Sequence, residues 1–229
     1  MRRIWVASLS ADVQALAPDE ARHAQGVLRL AAGEPLVLFD GEGRERDATL
    51  ESASKRGVRV RATGPVRVAP AAAGPAVTLI VSLLKGEAMD RVVRGATELG
   101  AVRIVPVVAA RSVARGGDKA ERWRRIAREA ARQSGRAVVP RVDEVGTLAE
   151  ARTGEGTRVL LWEGEKRRPL ADVDAAVVTL AVGPEGGWTA EELAAFDGVG
   201  FERRGMSDAI LRAETASLAA VAVVRRLAR

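Results

Sequence analysis

Four nearly continuous apolar segments, separated by helical patterns, constrain the fold of this chain more than any other feature. They run over residues 76–84, 102–108, 158–163 and 176–182. Strands that are buried on both faces read as uninterrupted apolar runs, and in parallel sheets such strands alternate with helices. The sequence therefore predicts an α/β fold with a parallel sheet in the carboxyl-terminal two-thirds of the chain.

The amino-terminal residues have a different pattern. Short segments that alternate between apolar and polar residues predict half-buried strands, and a helical pattern lies among them. The strands are predicted over 3–7, 35–40, 48–51 and 58–62, and the helix over 19–30. This arrangement is typical of a small β-barrel with a helix.

A segment rich in proline, glycine and alanine, residues 64–75, predicts a linker between the two patterns. We therefore expect two domains, a small β-barrel over residues 1–70 and an α/β domain over residues 75–229.

A glycine-rich loop follows the last of the four apolar segments. It reads Gly183-Pro184-Glu185-Gly186-Gly187, and a helical pattern begins after it near residue 189. Glycine permits positive φ and close approach of a ligand to the backbone. The spacing matches neither a dinucleotide fingerprint nor a phosphate-binding P-loop. The loop predicts a site for a small polar ligand that is bound through main-chain groups, although a simple tight turn would have the same residues.

Composition excludes several kinds of site. The chain has no cysteine, so disulfides and thiolate metal sites are excluded, and its one histidine, His23, excludes a histidine-rich metal site. His23 is more typical of a packed or capping residue than of a catalyst. The amino terminus lacks the apolar core of a signal peptide, and no apolar stretch is long enough to span a membrane. We expect a soluble cytoplasmic protein that needs no metal.

The excess positive charge is confined to one segment. The formal net charge is +6, and residues 111–141 alone contain ten Arg or Lys and three Asp or Glu. A helical projection of residues 119–136 puts Trp123 and Ile126 on a buried side and a row of six arginines on the other. These arginines are Arg122, Arg124, Arg125, Arg128, Arg132 and Arg136. Such a row indicates contact with a polyanion, or else a solvated arginine-rich face.

The last predicted helix, residues 210–228, is apolar nearly all round beyond Thr215. A helix of this kind is buried on most sides. At the end of a chain such burial often requires a second subunit, so we expect a homodimer. Near the start of this helix, Arg212 and Glu214 either form an ion pair that clamps the adjacent loop or place Arg212 against a substrate.

Taken together, these motifs resemble those of the ribosomal RNA small-subunit methyltransferase E family, and they occur in the family's order along essentially the whole chain. The blocks that carry the resemblance are Arg3 with Trp5-Val6, His23 with Val27-Leu28-Arg29, Gly33 with Phe39-Asp40-Gly41, Lys85-Gly86-Glu87 with Met89 and Asp90, Thr97-Glu98-Leu99-Gly100, Glu129-Ala130 with Gln133-Ser134-Gly135-Arg136 and Pro140, the glycine-rich loop, and Ile210-Leu211-Arg212 with Glu214-Thr215-Ala216.

The resemblance implies methylation of the N3 atom of a uridine in small-subunit (16S) ribosomal RNA, with S-adenosylmethionine as methyl donor. It also implies a PUA-like RNA-binding barrel followed by a SPOUT-type parallel sheet with a carboxyl-terminal trefoil knot. A homodimer through the knot and the carboxyl-terminal helix is implied as well. The expected partner is small-subunit ribosomal RNA or the assembled small subunit.

The resemblance also implies roles for individual residues. The cofactor is expected in three loops, at Leu161, Trp162, Glu163, Gly183, Pro184, Glu185, Gly186, Gly187, Ser207, Ile210 and Leu211. Arg212 is the first candidate to stabilise the uridine anion, followed by Lys85 and Arg3. Glu185 and Glu214 are alternatives for orienting these cations or for taking the proton. The residues expected to contact RNA are Arg3, Arg29, Arg125, Arg128, Arg132 and Arg136.

The chain departs from the family pattern before Ile210. The usual Leu-Gly-x-Arg is replaced by Met206-Ser207-Asp208-Ala209, so a glycine and an arginine are absent. Two alternatives to the methyltransferase follow. One is an RNA-binding ribosome-assembly factor without catalytic activity, and the other is the same chemistry on another RNA.

Overall fold

The computed structural model describes residues 2–54, 57–70, 73–113, 119–151 and 154–226. The chain forms two compact units. The first comprises Met1–Ala71 and Ala131–Val139, and the second comprises Ala72–Ala130 and Pro140–Arg229. Residues 131–139 thus belong with the amino-terminal unit. The predicted boundary at residues 70–75 divides the chain at a single point, so it did not include this later segment. Residues 71–72 of the predicted linker, 114–118 of the basic segment and 227–228 of the last predicted helix lie outside the described residues.

The first unit is built on a five-stranded sheet. Its elements are β1 Arg3–Trp5, β2 Val13–Ala15, α1 Pro18–Arg22, a π-helical turn His23–Val27, β3 Pro35–Phe39, β4 Arg44–Ser54 and β5 Gly57–Val68. The strand order is β1-β3-β4-β5-β2, and each pair is antiparallel except β1 with β3. The alternation of apolar and polar residues along the strands explains the core of this unit. In β5, Val58 and Val60 are fully buried, whereas Arg59 and Arg61, each next in the chain, are exposed.

Two details of this unit differ from the sequence predictions. The predicted linker was wrong in its first residues, because β5 continues to Val68. The register between β4 and β5 shifts between Arg46 and Ala48, so that Gly64 and Pro65 lie in a bulge. A bulge tolerates both residues, because it interrupts the ladder of hydrogen bonds. The single helix predicted over 19–30 is instead α1 followed by the π-helical turn, which ends at Val27.

The second unit contains the predicted parallel sheet. Its elements are β6 Ala76–Ser82, α2 Ala88–Leu99, β7 Ala101–Val108, α3 Ala120–Gln133, β8 Arg141–Val142, β9 Gly146–Thr147, α4 Leu148–Ala151, β10 Thr157–Leu161, a 3₁₀ turn Leu170–Asp172, β11 Val177–Val182, α5 Ala190–Asp197, β12 Glu202–Arg204 and α6 Ala213–Arg225. The last residues of α3 cluster with the first unit. The strand order is β12-β10-β11-β6-β7-β8, with β9 also on β7, and all these pairs are parallel. The predicted α/β class is therefore confirmed.

The last helix is shorter than predicted. It begins at Ala213 because Arg212, the residue before it, has an extended backbone with ψ of 148°. Ile210 precedes the helix and is 86% exposed. One face of α6 is buried, at Ala213, Ser217, Ala220, Val221 and Val224. Within the described ranges, no helix combines the length and the apolar character that crossing a bilayer would require.

Candidate functional site

The second unit contains a cavity of about 310 Å³ at one edge of its sheet. Three loops enclose it, and they follow β10, β11 and β12, which are neighbours in the sheet. The carboxyl ends of parallel strands meet at one edge, where ligands of open α/β sheets commonly bind. The lining residues are Leu161, Trp162, Glu163, Val182, Gly183, Pro184, Glu185, Gly187, Trp188, Arg204, Met206, Ser207, Ala209, Ile210, Leu211, Arg212, Ala213 and Ala216.

The glycine-rich loop after β11 is held in a defined conformation. Gly187 has φ of +71°, and its N–H donates to the carbonyl of Pro184 at 2.9 Å, which closes a tight turn. The Arg111 guanidinium donates from Nη1 to the carbonyl of Gly186 at 2.9 Å and to that of Trp188 at 3.4 Å. After the loop, Thr189 caps α5 through reciprocal bonds with Glu192. The loop is therefore fixed from both sides before any ligand binds.

Trp188 connects two of the three loops. Its indole is 5% exposed, and Nε1 donates to the carbonyl of Leu161 at the end of β10 at 3.1 Å. Its ring packs edge-on against Phe196, with 5.1 Å between the ring centroids. A Cβ on Gly183 would lie 3.0 Å from this ring, so glycine allows the loop to pass close to the indole.

The loop after β12 accommodates the departures from the family pattern. Ser207 is not among the described residues with positive φ, so a serine fits there without backbone strain. Its hydroxyl accepts the N–H of Ala209 at 3.1 Å, which forms a local turn. Upstream, a Cβ on Gly205 would lie 2.0 Å from the carbonyl oxygen of Glu165, so this position requires glycine.

Four charged residues line the cavity, and their partners differ. Glu185 accepts the main-chain N–H of Lys85 through Oε1 at 3.4 Å. Arg204 donates from Nη2 to Glu202 at 2.6 Å. Glu163 and Arg212 have no hydrogen bond or ion pair with another described side chain, and both are exposed. The cavity therefore offers two carboxylates and two guanidinium groups around an apolar interior.

Most of the predicted cofactor residues lie together around this cavity. Gly186 is the exception, since it does not line the cavity, and its carbonyl accepts a hydrogen bond from Arg111. Of the candidate catalytic residues, Arg212 and Glu185 line the cavity, whereas Lys85 and Glu214 do not. Glu214 accepts a bond from Arg91 of α2 at 3.2 Å, so the clamp between Arg212 and Glu214 that the sequence left open is not formed.

Several lining residues were not among the predicted site residues, and Arg204 is the charged one among them. Met206, Ala209, Ala213 and Ala216 adjoin the predicted motifs and could have been included by proximity in the chain. Arg204 lies on β12, and it reaches the site because β12 pairs with β10, where Arg204 is in register with Leu161. Long-range pairing of this kind has no local sequence signal.

The predicted row of exposed arginines on α3 was wrong at Arg132. This residue is 8% exposed, and its guanidinium pairs with Glu20 of α1 at 2.9 Å. Arg122 pairs with Asp90 at 2.5 Å, and Arg124 pairs with Glu121 and Glu144. The bonds to Glu121 and Glu144 raise the pKa of the Arg124 guanidinium. A projection finds the face of a helix but not the carboxylates that pack against it.

The remaining candidates for RNA contact differ in accessibility. Arg125 and Arg29 are exposed and make no ion pair with another described residue, whereas Arg128 and Arg136 are half-buried. Arg3 pairs with Glu45 at 3.0 Å, and its guanidinium lies over the ring of Phe39, 5.1 Å from the centroid. Among these candidates, Arg29 and Arg125 are therefore the most accessible to a polyanion.

Comparison with known proteins agrees with this architecture. A family model described as an RNA methyltransferase domain matches residues 72–225, and a model described as an RNA methyltransferase PUA domain matches residues 16–63. The Ribosomal RNA small subunit methyltransferase E of Mycobacterium bovis is 36% identical over 220 residues, which span 90% of this chain and 83% of that protein. The Bacillus subtilis protein of the same name is 33% identical over 229 residues, with 90% and 87% of the two chains covered.

Several solved structures match nearly the whole chain. The Ribosomal RNA small subunit methyltransferase E from Neisseria gonorrhoeae, bound to S-adenosyl methionine, has a TM-score of 0.89 and 30% identity, covering 99% of this chain and 98% of its own. A putative methyltransferase from Legionella pneumophila in complex with the same cofactor has a TM-score of 0.89 and 28% identity, with coverage of 98% and 97%. By sequence and by fold, this chain belongs to the ribosomal RNA small subunit methyltransferase E family.

Proposed function

We propose that this protein transfers a methyl group from S-adenosylmethionine to the N3 atom of a uridine in 16S ribosomal RNA. The observation that carries the proposal is the cavity, in which three loops predicted from separate motifs converge. Its volume lies within the range of small-molecule sites. Its apolar walls suit a nucleoside, and its two carboxylates and two guanidinium groups suit an amino-acid moiety that carries both charges.

The residues of this chain would bind the cofactor and prepare the acceptor. S-adenosylmethionine, when bound, supplies a methyl group on a sulfonium centre. The loops after β10, β11 and β12 would hold it mainly through main-chain groups, as their glycines allow. Positioning of donor and acceptor is the main requirement of a displacement of this kind.

Arg212 is the group best placed to act on the acceptor base. Uracil N3 must lose its proton to become a nucleophile, and the negative charge then spreads over N3 and two carbonyl oxygens. A cation beside this charge stabilises it, and Arg212 lines the cavity without a carboxylate partner among the described residues. We assign the orientation of Arg212, or transfer of the proton, to Glu185 rather than Glu214, because Glu214 lies outside the cavity and is bonded to Arg91.

Contact with RNA is expected at Arg125. Replacement by alanine should weaken binding of 16S ribosomal RNA and reduce the slope of log affinity against log salt by about one, since one phosphate contact is lost. Arg124 on the same helix is the matched control, because Glu121 and Glu144 already neutralise it. Arg124→Ala should leave the slope unchanged. Filter-binding titrations at several salt concentrations measure both, and equal slopes for the two variants would assign Arg125 to a solvated surface.

Nucleoside analysis tests the proposed reaction. Mass spectrometry of 16S ribosomal RNA from cells that lack this protein should show loss of one N3-methyluridine, which the wild-type chain restores. Restoration of a different product, or in a different RNA, would favour the same chemistry on another substrate. A protein without catalytic activity that assists ribosome assembly would restore growth without the methyl group, and calorimetry with S-adenosylmethionine would detect no binding.

We further propose the domain and assembly features that the family resemblance implies. Residues 1–70 would form the PUA-like RNA-binding domain, and residues 75–229 the SPOUT-type domain with its trefoil knot. A homodimer would form through the knot and α6, whose outer face carries Ala216, Ala219 and Val223. The activity would take place in the cytoplasm, on free ribosomal RNA or on the assembled small subunit. Sedimentation at micromolar concentration tests the dimer.

A further inference from the structure

Arg204, the last residue of β12, lines the cavity although no motif indicated it. Its side chain is 19% exposed, whereas Arg212, which also lines the cavity, is exposed. Ala209, where the family pattern has an arginine, lines the cavity as well. Arg204 therefore supplies a positive charge to a cavity that lacks one at position 209.

The hydrogen bonds of Arg204 are incomplete. Nη2 donates to Oε2 of Glu202 at 2.6 Å, but Nε is buried and has no acceptor among the described residues. A buried donor without an acceptor is unfavourable, and in native proteins such groups usually have a partner. Because Nε is closed off, an anionic ligand in the cavity would bind Nη1, which is not buried and has no acceptor among the described residues.

We propose that Arg204 binds the carboxylate of the methionyl part of S-adenosylmethionine. The inference rests on the proposed function, because it takes that cofactor as the ligand of the cavity. The guanidinium group presents its N–H donors in a planar fork that matches the two oxygens of a carboxylate. The carboxylate is also the one anionic group of this cofactor.

The charges around the cavity favour this assignment. Glu163 and Glu185 also line it and would repel a carboxylate that had no cation beside it. Arg204 offsets this repulsion, while Glu163 suits the ammonium group of the same amino acid.

An RNA phosphate is the less suitable partner for Arg204. A phosphodiester backbone approaches an open surface, and Arg204 is mostly enclosed. Arg212 and Arg125 are among the exposed cations of this unit and are open to such a backbone. An experiment can distinguish a contact of Arg204 with the cofactor carboxylate from a contact with an RNA phosphate, because a cofactor without the carboxylate can be used as the ligand.

The test compares S-adenosylmethionine with its decarboxylated form by isothermal titration calorimetry. Wild-type protein should bind the complete cofactor about 10- to 100-fold more tightly, the range expected for one charge-assisted contact. Arg204→Met keeps the unbranched apolar part of the side chain without the guanidinium group. It should weaken binding of S-adenosylmethionine by about the same factor and leave binding of the decarboxylated form unchanged. Arg204→Lys should retain part of the preference.

The matched control is Arg103→Met, which removes an arginine of β7 that pairs with Asp143 and does not line the cavity. It should leave the affinity for both ligands unchanged.

Equal weakening for both ligands in Arg204→Met and Arg204→Lys would mean that Arg204 shapes the cavity, and unchanged affinities would mean that it contacts neither. A loss of RNA affinity alone would assign it to a phosphate. Each of these results overturns the inference, and wild-type protein that binds neither ligand would overturn the proposed function as well.

Discussion

Arg212→Ala should lower the rate of methyl transfer by about 100- to 1,000-fold at saturating cofactor, the usual effect of removing one group that stabilises developing negative charge. Arg212 immediately precedes α6, lines the cavity, and forms no ion pair with a described residue. Its charge is therefore available to the acceptor base. Single-turnover methylation of unmodified 16S ribosomal RNA or small subunits measures the rate without product release.

The pH dependence separates this role from a structural one. A cation near N3 lowers the pKa of the bound uracil, so its removal raises that pKa. The rate of Arg212→Ala should therefore continue to increase at pH values where the wild-type rate has levelled off. Arg212→Lys keeps the charge and should recover part of the rate. An unchanged pH profile in Arg212→Ala, or a loss confined to cofactor affinity, would place Arg212 away from the acceptor.

The site could be predicted from sequence where single residues dictate the backbone. The glycines of the loop after β11 are needed for a positive φ at Gly187 and for the close approach of Gly183 to Trp188. Because these backbone requirements fall within one short loop, the glycines that meet them form a recognisable sequence motif. The parallel sheet was predictable for a similar reason, because strands buried on both faces need apolar residues at every position.

Residues whose role depends on partners distant in the chain could not be predicted. Arg132 had the spacing of an exposed helix face, yet Glu20, 112 positions away, pairs with it. Arg204 reached the cavity through the pairing of β12 with β10. An ion pair between Glu214 and Arg212 was one of two alternatives, but among the described residues Glu214 pairs with Arg91. In each case the charge was visible in the sequence, and the group that fixes its position was not.

Trp188→Ala should lower the free energy of unfolding of the second unit by about 3–5 kcal/mol, the range for truncation of a buried aromatic residue. Trp188 packs in the core with Phe196 and Leu193, and its Nε1 satisfies the carbonyl of Leu161. Alanine would leave a void under the glycine-rich loop and would remove the bond between the loops after β10 and β11. Affinity for S-adenosylmethionine should therefore decrease together with stability. Urea denaturation and calorimetry measure the two effects.

Trp188→Phe is the matched variant, since it keeps an aromatic ring against Phe196 but cannot donate to Leu161. The expected loss is about 1–2 kcal/mol, the value of one buried hydrogen bond and the carbonyl left without it. Because the void is smaller, cofactor affinity should fall less than in Trp188→Ala. If alanine and phenylalanine were equally destabilising, the hydrogen bond to Leu161 rather than ring packing would hold the loops together. If neither variant changed the urea midpoint or the affinity, the indole would support neither the core nor the loops, because a buried side chain that does so cannot be removed without cost.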